Sequence, residues 1–259
     1  MISFDVVQTA LLLTIFAGLS TGIGSTIAFF IRHPKTIYLS LALGFSAGVM
    51  IYVSFGELLP NAVDHIGNIM GSAAFFVGIF VIGIIDIFIP NEVNPHHFAS
   101  ITKKATAKVD PKLMRTGMFT ALAIAIHNFP EGLATFGTAL SDIRLGVLIA
   151  IAIAIHNIPE GISVSMPIFF ATNNRKKAFT YSFLSGLAEP LGAIIGFIIL
   201  MPFLTDALLS SMLAFVAGIM VYISVDELLP MAHKYGHGHV VMIGFVMGMG
   251  VMALSLILL

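Results

Sequence analysis

Two short stretches of this sequence place a histidine, an amide and a carboxylate inside runs that are otherwise apolar. The first is His-Asn-Phe-Pro-Glu-Gly at 127–132, and the second is His-Asn-Ile-Pro-Glu-Gly at 156–161. In each, the histidine and the glutamate are four residues apart, so on a helix they lie one turn apart on the same face. An ionisable side chain at the centre of a bilayer costs about 2.5 kcal/mol or more. Two matched sets therefore indicate a function, and we interpret them as the two halves of one metal site.

The proline and the glycine of each stretch shape the helix that carries it. The proline lacks an N–H and clashes with the carbonyl four residues earlier, which predicts a kink and a free carbonyl at Ile126 and at Ile155. The glycine after each glutamate lets a neighbouring helix approach closely. Both features are typical of helices that build a site in a membrane protein.

The donor types indicate which ions the site would bind. Imidazole nitrogen and carboxylate oxygen suit Zn²⁺, Fe²⁺, Mn²⁺ and Co²⁺. On a helix each asparagine points about 100° away from its histidine, and the glutamate lies between them, so it can bridge two ions. Glu189, followed by Pro190, repeats the carboxylate–proline pattern and can add a ligand. The alternative is that the histidines and glutamates pair with each other as structural contacts within or between helices.

The composition excludes a soluble globular domain. Of the 259 residues, 58% are apolar and 10% are charged, whereas soluble domains carry about a quarter charged residues. We therefore predict an all-α integral membrane protein, a single polytopic domain over 1–259 whose surroundings are a lipid bilayer. We expect no cleaved signal peptide, since the first apolar run is too long for one. The chain has no cysteine, which excludes disulfides and thiolate ligands. The net charge of −1 gives no indication of a nucleic-acid partner, and a homodimer is compatible with this sequence.

Apolar runs of about 20 residues are long enough to cross the hydrocarbon core. On that rule we predict eight transmembrane helices, at roughly 6–31, 36–60, 68–90, 116–140, 145–170, 178–202, 208–230 and 240–258. The longest connection, about 91–115, is predicted to be a loop on the cytoplasmic side. Of the 12 Lys and Arg residues, only Arg144 falls in an even-numbered connection. The positive-inside rule therefore places the odd connections in the cytoplasm and both termini on the opposite side of the membrane. The membrane we predict is the cell (inner) membrane.

A second repeat relates the two ends of the chain. Segment 47–60 ends in Gly-Glu-Leu-Leu-Pro, and segment 217–230, which shares its Ala-Gly, Met, Tyr and Ser positions, ends in Asp-Glu-Leu-Leu-Pro. The two copies lie in crossings 2 and 7 and so run in opposite directions. This predicts an inverted repeat, with crossings 1–3 mirrored by 6–8 around a central helix pair, 4 and 5. Such symmetry typically places the substrate site at the midplane, on interrupted helices.

Several weaker candidates lie nearer the ends of the crossings. The carboxylates among them are Glu57, Asp86, Asp226 and Glu227. They either line the mouths of a cation path or are ordinary interfacial charges. Met50 and Met220 either offer soft ligands or fill apolar space. The loop histidines either capture ions or are solvated polar residues, and these are His96, His97, His233, His237 and His239.

These motifs resemble the ZIP (Zrt/Irt-like) family of divalent-metal transporters, most closely its bacterial ZupT-like zinc-uptake branch. The resemblance is carried by the two hexapeptides, by Ser-Gly-Leu-Ala-Glu-Pro-Leu-Gly at 185–192 and by the paired Glu-Leu-Leu-Pro segments, and it covers essentially the whole chain. It implies a binuclear metal centre. One position, described as the zinc site, would use His127, Glu131, His156 and Glu160. The other, often assigned to iron, would use Asn128, Glu131, Asn157, Glu160 and Glu189.

The same resemblance implies a mechanism. Crossings 1, 4, 5 and 6 would move against 2, 3, 7 and 8, and Met50, Asp86, Asp226 and Glu227 match positions along the metal path. The long third connection carries only a histidine pair, and not the extended histidine-rich tract of many relatives.

The function we predict is uptake of Zn²⁺, together with Fe²⁺, Mn²⁺, Co²⁺ and Cd²⁺, into the cytoplasm. The metal would be the transported ion, with no enzymatic cofactor, and the protein would not be an enzyme. The alternative is an intramembrane metal-dependent hydrolase. His-x-x-x-Glu on a helix is superficially like a metalloprotease helix, but the usual His-Glu-x-x-His is absent and a catalytic site needs a separate general base. A passive channel is a third reading.

Overall fold

A computed structural model describes residues 4–30, 35–88, 111–200, 205–234 and 237–258. In this part of the chain all regular structure is helical. Ten α-helices are formed there: α1 Phe4–Phe30, α2 Thr36–Val53, α3 Leu59–Phe88, α4 Pro111–Ser141, α5 Ile143–Thr172, α6 Arg175–Gly186, α7 Ala188–Ile195, α8 Asp206–Tyr222, α9 Leu229–His233 and α10 Gly238–Leu258.

The ends and breaks of these helices follow local chemistry. The Asn174 side chain caps α6 by accepting a hydrogen bond from the backbone N–H of Lys177, and the Thr205 side chain caps α8 by accepting one from that of Leu208. The long helical segment that ends at Phe88 turns at Gly67, whose φ of +80° favours glycine. This turn separates predicted crossings 2 and 3.

Three π-helical turns interrupt the α-helical hydrogen bonding. They cover Ser54–Leu58 after α2, Gly196–Leu200 after α7 and Ile223–Leu228 after α8. The first and third carry Glu57 and Glu227, which are equivalent positions of the repeat found in the sequence. π-Turns within helices are frequent at functional sites.

The helices are apolar enough for a membrane. Six segments within the described residues are long and apolar enough to cross one. One of them, 36–87, has 52 residues, and at about 1.5 Å per residue it is more than twice the thickness of the hydrocarbon core. The outer surface exposes large apolar side chains, such as Phe80 (65%), Ile198 (71%) and Val246 (62%). The predicted all-α membrane fold is confirmed, while the count of eight crossings stays a prediction.

Reciprocal glycine contacts hold the outer helices together in matching pairs. In α2 and α10, a methyl group on Gly48 would overlap the Phe245 carbonyl oxygen, and one on Gly248 would overlap that of Phe45. In α3 and α8, Gly78 and Phe215 are related in the same way, as are Gly218 and Phe75. Each pair therefore joins two Phe-x-x-Gly segments at backbone contact distance. The pair α2–α10 has the same construction as the pair α8–α3, which is the relation expected of an inverted repeat.

Candidate metal centre

The two hexapeptides lie opposite each other on α4 and α5. His127 Nε2 is 2.8 Å from Glu160 Oε1, and His156 Nε2 is 2.8 Å from Glu131 Oε1. The four side chains are at most 1% exposed. The histidine of each helix thus pairs with the glutamate of the other, rather than with the glutamate one turn away on its own helix. The structure brings all four predicted ligands of the first position together.

The helices that carry these residues are not interrupted at the centre. Both α4 and α5 continue past Pro130 and Pro159. The break falls instead in crossing 6, where α6 ends at Gly186 and α7 begins at Ala188, one residue before Glu189. A one-residue turn at Leu187 therefore lies next to Glu189, in the helical segment that carries it.

Glu189 and Asn157 extend the cluster on one side. Asn157 Nδ2 donates to Glu189 Oε2 at 2.7 Å and to the carbonyl oxygen of Ala17 in α1 at 2.9 Å. Both side chains are fully buried. The amide is held in place by the backbone of α1, and its Oδ1 has no hydrogen-bond partner in the described part of the chain.

Asn128 extends the cluster on the other side. Its Nδ2 donates to the carbonyl oxygen of Ser185 in α6 at 3.3 Å. In this orientation its Oδ1 faces three other atoms, His127 Nε2 at 2.9 Å, the Ile124 carbonyl oxygen at 3.2 Å and Glu160 Oε2 at 3.3 Å, and turning the amide over lets its nitrogen donate to them. Oxygen atoms facing each other at such distances repel, unless the amide is turned over or a cation lies between them.

Several polar atoms of this cluster are buried without a hydrogen-bond partner in the described residues, among them Nδ1 of His127 and of His156. Glu131 Oε2 and Glu189 Oε1 are buried without a hydrogen-bond partner in the described residues. Buried carboxylate oxygens are costly when nothing compensates their charge. A divalent cation would supply that compensation, and the nitrogen and oxygen donors present are the ones that zinc and iron use.

A small cavity leads from this centre toward Glu57. It has a volume of about 30 Å³, and its lining includes Glu57, Asn61, Thr135, Glu131 and His156. That volume exceeds the 10–15 Å³ or so needed to hold one water molecule. The cavity therefore connects a carboxylate near one end of the molecule with the two central hexapeptides.

The other three candidate carboxylates form a cluster of their own. Asp86, Asp226 and Glu227 can each place one oxygen within 4.8 Å of the others. Asp86 is 6% exposed and Glu227 is 1% exposed, and Asp86 accepts a hydrogen bond from the Tyr222 hydroxyl at 3.2 Å. About 18 residues of helix separate Gly67 from Asp86, so this cluster lies near the end of α3 farthest from Glu57.

The remaining candidates lie elsewhere. Met50 and Met220 are fully buried in the apolar core. His233 Nδ1 lies 2.9 Å from the Leu229 carbonyl oxygen, His237 Nε2 lies 3.0 Å from the Thr36 hydroxyl, and His239 is exposed. His96, His97 and most of the predicted loop 91–115 lie outside the described residues.

Two backbone carbonyl oxygens at the centre could not be predicted from the types of the residues that carry them. The carbonyl oxygens of Ala17 and Ser185 orient Asn157 and Asn128, but every residue has such a group. Only their positions before Gly18 and Gly186, in two segments that share Gly-Leu, hint at an equivalent role.

Known proteins are similar to this chain over nearly its whole length. The family model described as ZIP Zinc transporter matches residues 90–256. A protein named Zinc transporter ZupT from Chlorobium phaeovibrioides is 60% identical over 96% of this chain and 97% of its own length. Proteins with the same name from Lysinibacillus sphaericus (95% of this chain, 96% of its own length) and Oceanobacillus iheyensis (98% and 99%) are 57% and 56% identical.

Proposed function

Because this chain belongs to the ZIP family of zinc transporters, we propose that it carries Zn²⁺ across the cell membrane into the cytoplasm. The observation that carries the proposal is the crossed arrangement of His127 with Glu160 and of His156 with Glu131, fully buried between two helices. Two nitrogens and two carboxylates from facing helices suit one tetrahedral Zn²⁺. On binding, the ion would take the place of the direct contact between the histidine and the glutamate of each pair.

A second ion would bind beside the first. Its donors are the amide oxygens of Asn128 and Asn157, the carboxylates Glu131 and Glu160 that both positions share, and Glu189. The unpartnered Oε1 of Glu189 and the unpartnered Oδ1 of Asn157 support this position. An all-oxygen site suits Mn²⁺ and Fe²⁺, and the nitrogen donors of the first position suit Co²⁺ and Cd²⁺. We therefore propose that these four ions are also carried, as cargo and not as cofactors.

The path has two ends. Glu57 would collect the ion on the outer side, since the cavity from Glu57 reaches His156 and Glu131. Asp86, Asp226 and Glu227 would receive it on the cytoplasmic side, where three adjacent carboxylates can hold a hydrated cation. The orientation follows the basic residues of the odd connections and places both termini outside. Eight crossings, an inverted repeat and movement of one helix bundle against the other belong to the same proposal.

Every relative named above is a transporter, so the hydrolase alternative has no support.

The test is zinc uptake by the purified protein in proteoliposomes. We expect Glu160→Ala and His127→Ala to lower uptake at least about tenfold, because even outer-shell partners of a metal typically cost 10–100-fold in affinity. His65→Ala is the matched control, since His65 is exposed and lies 2.7 Å from the Asn61 carbonyl oxygen of its own helix. Undiminished uptake by Glu160→Ala or His127→Ala would show that the centre is not the transport site.

A further inference from the structure

The centre is built around a local pseudo-two-fold axis that relates α4 to α5 and α7 to α1. A methyl group on Gly132 of α4 would overlap the Glu189 carbonyl oxygen, and one on Gly161 of α5 would overlap the Thr21 carbonyl oxygen. The same helix pairs are also in contact in the opposite sense. A methyl group on Gly192 would overlap the Phe129 carbonyl oxygen, and one on Gly24 would overlap the Ile158 carbonyl oxygen.

The axis itself passes between two glycines. A methyl group on Gly18 would lie 2.8 Å from the Gly186 carbonyl oxygen, and one on Gly186 would lie 2.7 Å from that of Gly18. The asparagines obey the same relation, since the Asn128 amide lies 3.3 Å from the Ser185 carbonyl oxygen and the Asn157 amide lies 2.9 Å from the Ala17 carbonyl oxygen. Segments 17–24 and 185–192 are therefore equivalent, and they share Gly-Leu and the final glycine in sequence.

Under this equivalence of the two segments, Thr21 corresponds to Glu189. The position of a methyl group on Gly18 lies 3.3 Å from Glu189 Cβ, and that on Gly186 lies 2.7 Å from Thr21 Cβ. Because Asn128 corresponds to Asn157 under the same relation, Thr21 stands at the position equivalent to Glu189. Its side chain is fully buried, and its Oγ1 has no hydrogen-bond partner in the described part of the chain.

A buried threonine hydroxyl without a hydrogen-bond partner is unusual in an apolar helix, where it normally bonds to the backbone of its own helix. Thr14 in the same helix is equally buried but donates to the Ala10 carbonyl oxygen, and Ser25 donates to that of Thr21. Leaving a buried hydroxyl unpartnered costs free energy, and a hydrogen bond to the carbonyl oxygen four residues earlier in the helix would avoid that cost. The hydroxyl of Thr21 is therefore available to a group that arrives from outside the chain.

We propose that Thr21 is the counterpart of Glu189 in the other half of the centre, and that its hydroxyl supplies a neutral oxygen donor, through one bridging water, to the second ion, from the Asn128 side of that ion. The threonine side chain ends two bonds short of the glutamate carboxylate, and a water molecule fills that difference. The centre is thereby asymmetric in charge, with a carboxylate beside Asn157 and a hydroxyl beside Asn128. This inference rests on the proposed function, because it assigns Thr21 to the same metal centre.

The test compares Thr21→Val with Thr14→Val, two isosteric changes of equally buried threonines in α1. Zinc titration of the full-length protein should give a dissociation constant about tenfold higher for Thr21→Val, the lower end of the range for outer-shell partners. Thr14→Val should bind as the wild type does, and Thr21→Ser, which keeps the hydroxyl, should restore the affinity. Without metal, Thr21→Val should melt no lower than the wild type, because a methyl replaces an unpartnered polar atom.

The outcomes separate this inference from the one it rests on. If the wild type binds zinc and Thr21→Val binds it within about twofold of the wild type, the hydroxyl has no part in the centre and the inference fails. A lower melting temperature without metal, with affinity not restored by Thr21→Ser, would show a packing role and would also overturn it. If the wild type itself binds no zinc, the proposed function fails first.

Discussion

Glu189 shows how single residues decide the chemistry of this centre. Its Oε2 accepts the amide of Asn157, and its Oε1 is buried without a partner in the described residues. The carbonyl oxygen of the same residue contacts Gly132 of α4. One residue therefore contributes both to the proposed second ion and to the packing of α7 on α4.

Replacing Glu189 with glutamine separates these two contributions. In Glu189→Gln the side-chain oxygen can still accept from Asn157 and the size is unchanged, but the charge is lost. We expect the variant to keep the ion held by the histidines and to bind the second ion about tenfold more weakly, which elemental analysis and metal titration of the purified protein would measure. Asp206→Asn, at an exposed position in the first turn of α8, is the matched control. Equal binding of both ions by Glu189→Gln and the wild type would exclude Glu189 as a ligand.

The residues that meet at the centre could largely be predicted from sequence. Histidine, asparagine and glutamate inside apolar runs are conspicuous, and their spacing places them on one face of a helix. The pairing across α4 and α5 could not be predicted, because spacing along one helix carries no information on which partner faces it. Thr21 could not be recognised either, since a threonine in a transmembrane helix normally bonds to its own backbone.

Helix positions were predicted more closely than helix irregularities. The bounds of α5 and α10, Ile143–Thr172 and Gly238–Leu258, are within a few residues of the predicted crossings 145–170 and 240–258. The π-turn at Ile223–Leu228 and the break at Leu187 have no signal in hydropathy, because both depend on backbone hydrogen bonding rather than on polarity. The kink at the proline of each hexapeptide stays a prediction, and α4 and α5 continue past Pro130 and Pro159.

At the scale of helix pairs, close glycine contacts set the distance between the elements of the centre. In Gly132→Ala the new methyl group would overlap the Glu189 carbonyl oxygen and push α7 away from α4. We expect a loss of stability of about 1–3 kcal/mol, as for other overpacked sites, together with lower zinc uptake. Melting temperature in detergent and uptake in proteoliposomes are the measurements. Gly250→Ala in α10 is the control, since nothing lies within 4 Å of the added methyl group there. Wild-type stability and uptake in Gly132→Ala would show that this contact does not position Glu189.

At the scale of the whole molecule, the outer helix pairs and the inner helix pairs are each related by symmetry, but the equivalent positions carry different side chains. The outer pairs α2–α10 and α3–α8 are joined by the same Phe-x-x-Gly contacts, and the inner pairs α4–α7 and α5–α1 are joined by contacts of the same kind. An inverted repeat gives a carrier two equivalent ends, so that one set of contacts can open to either side. The contents of these arrangements differ, since Glu189 corresponds to Thr21 and Glu57 corresponds to Glu227 of the carboxylate cluster at Asp86.

A carrier and a channel differ in whether the two bundles must move, and this chain suits a cross-linking test because it has no cysteine. α4 packs against α8, and a methyl group on Gly137 would lie 2.8 Å from Leu209 Cδ2. Cysteines at Gly137 and Leu209, joined by a short reagent that a reductant cleaves, should stop zinc uptake until the link is reduced. A second pair at Phe29 and Phe179, whose rings lie 6.0 Å apart within one bundle, should leave uptake unchanged when linked. Full uptake with the Gly137–Leu209 link intact would contradict movement of α4 against α8 and would favour a channel.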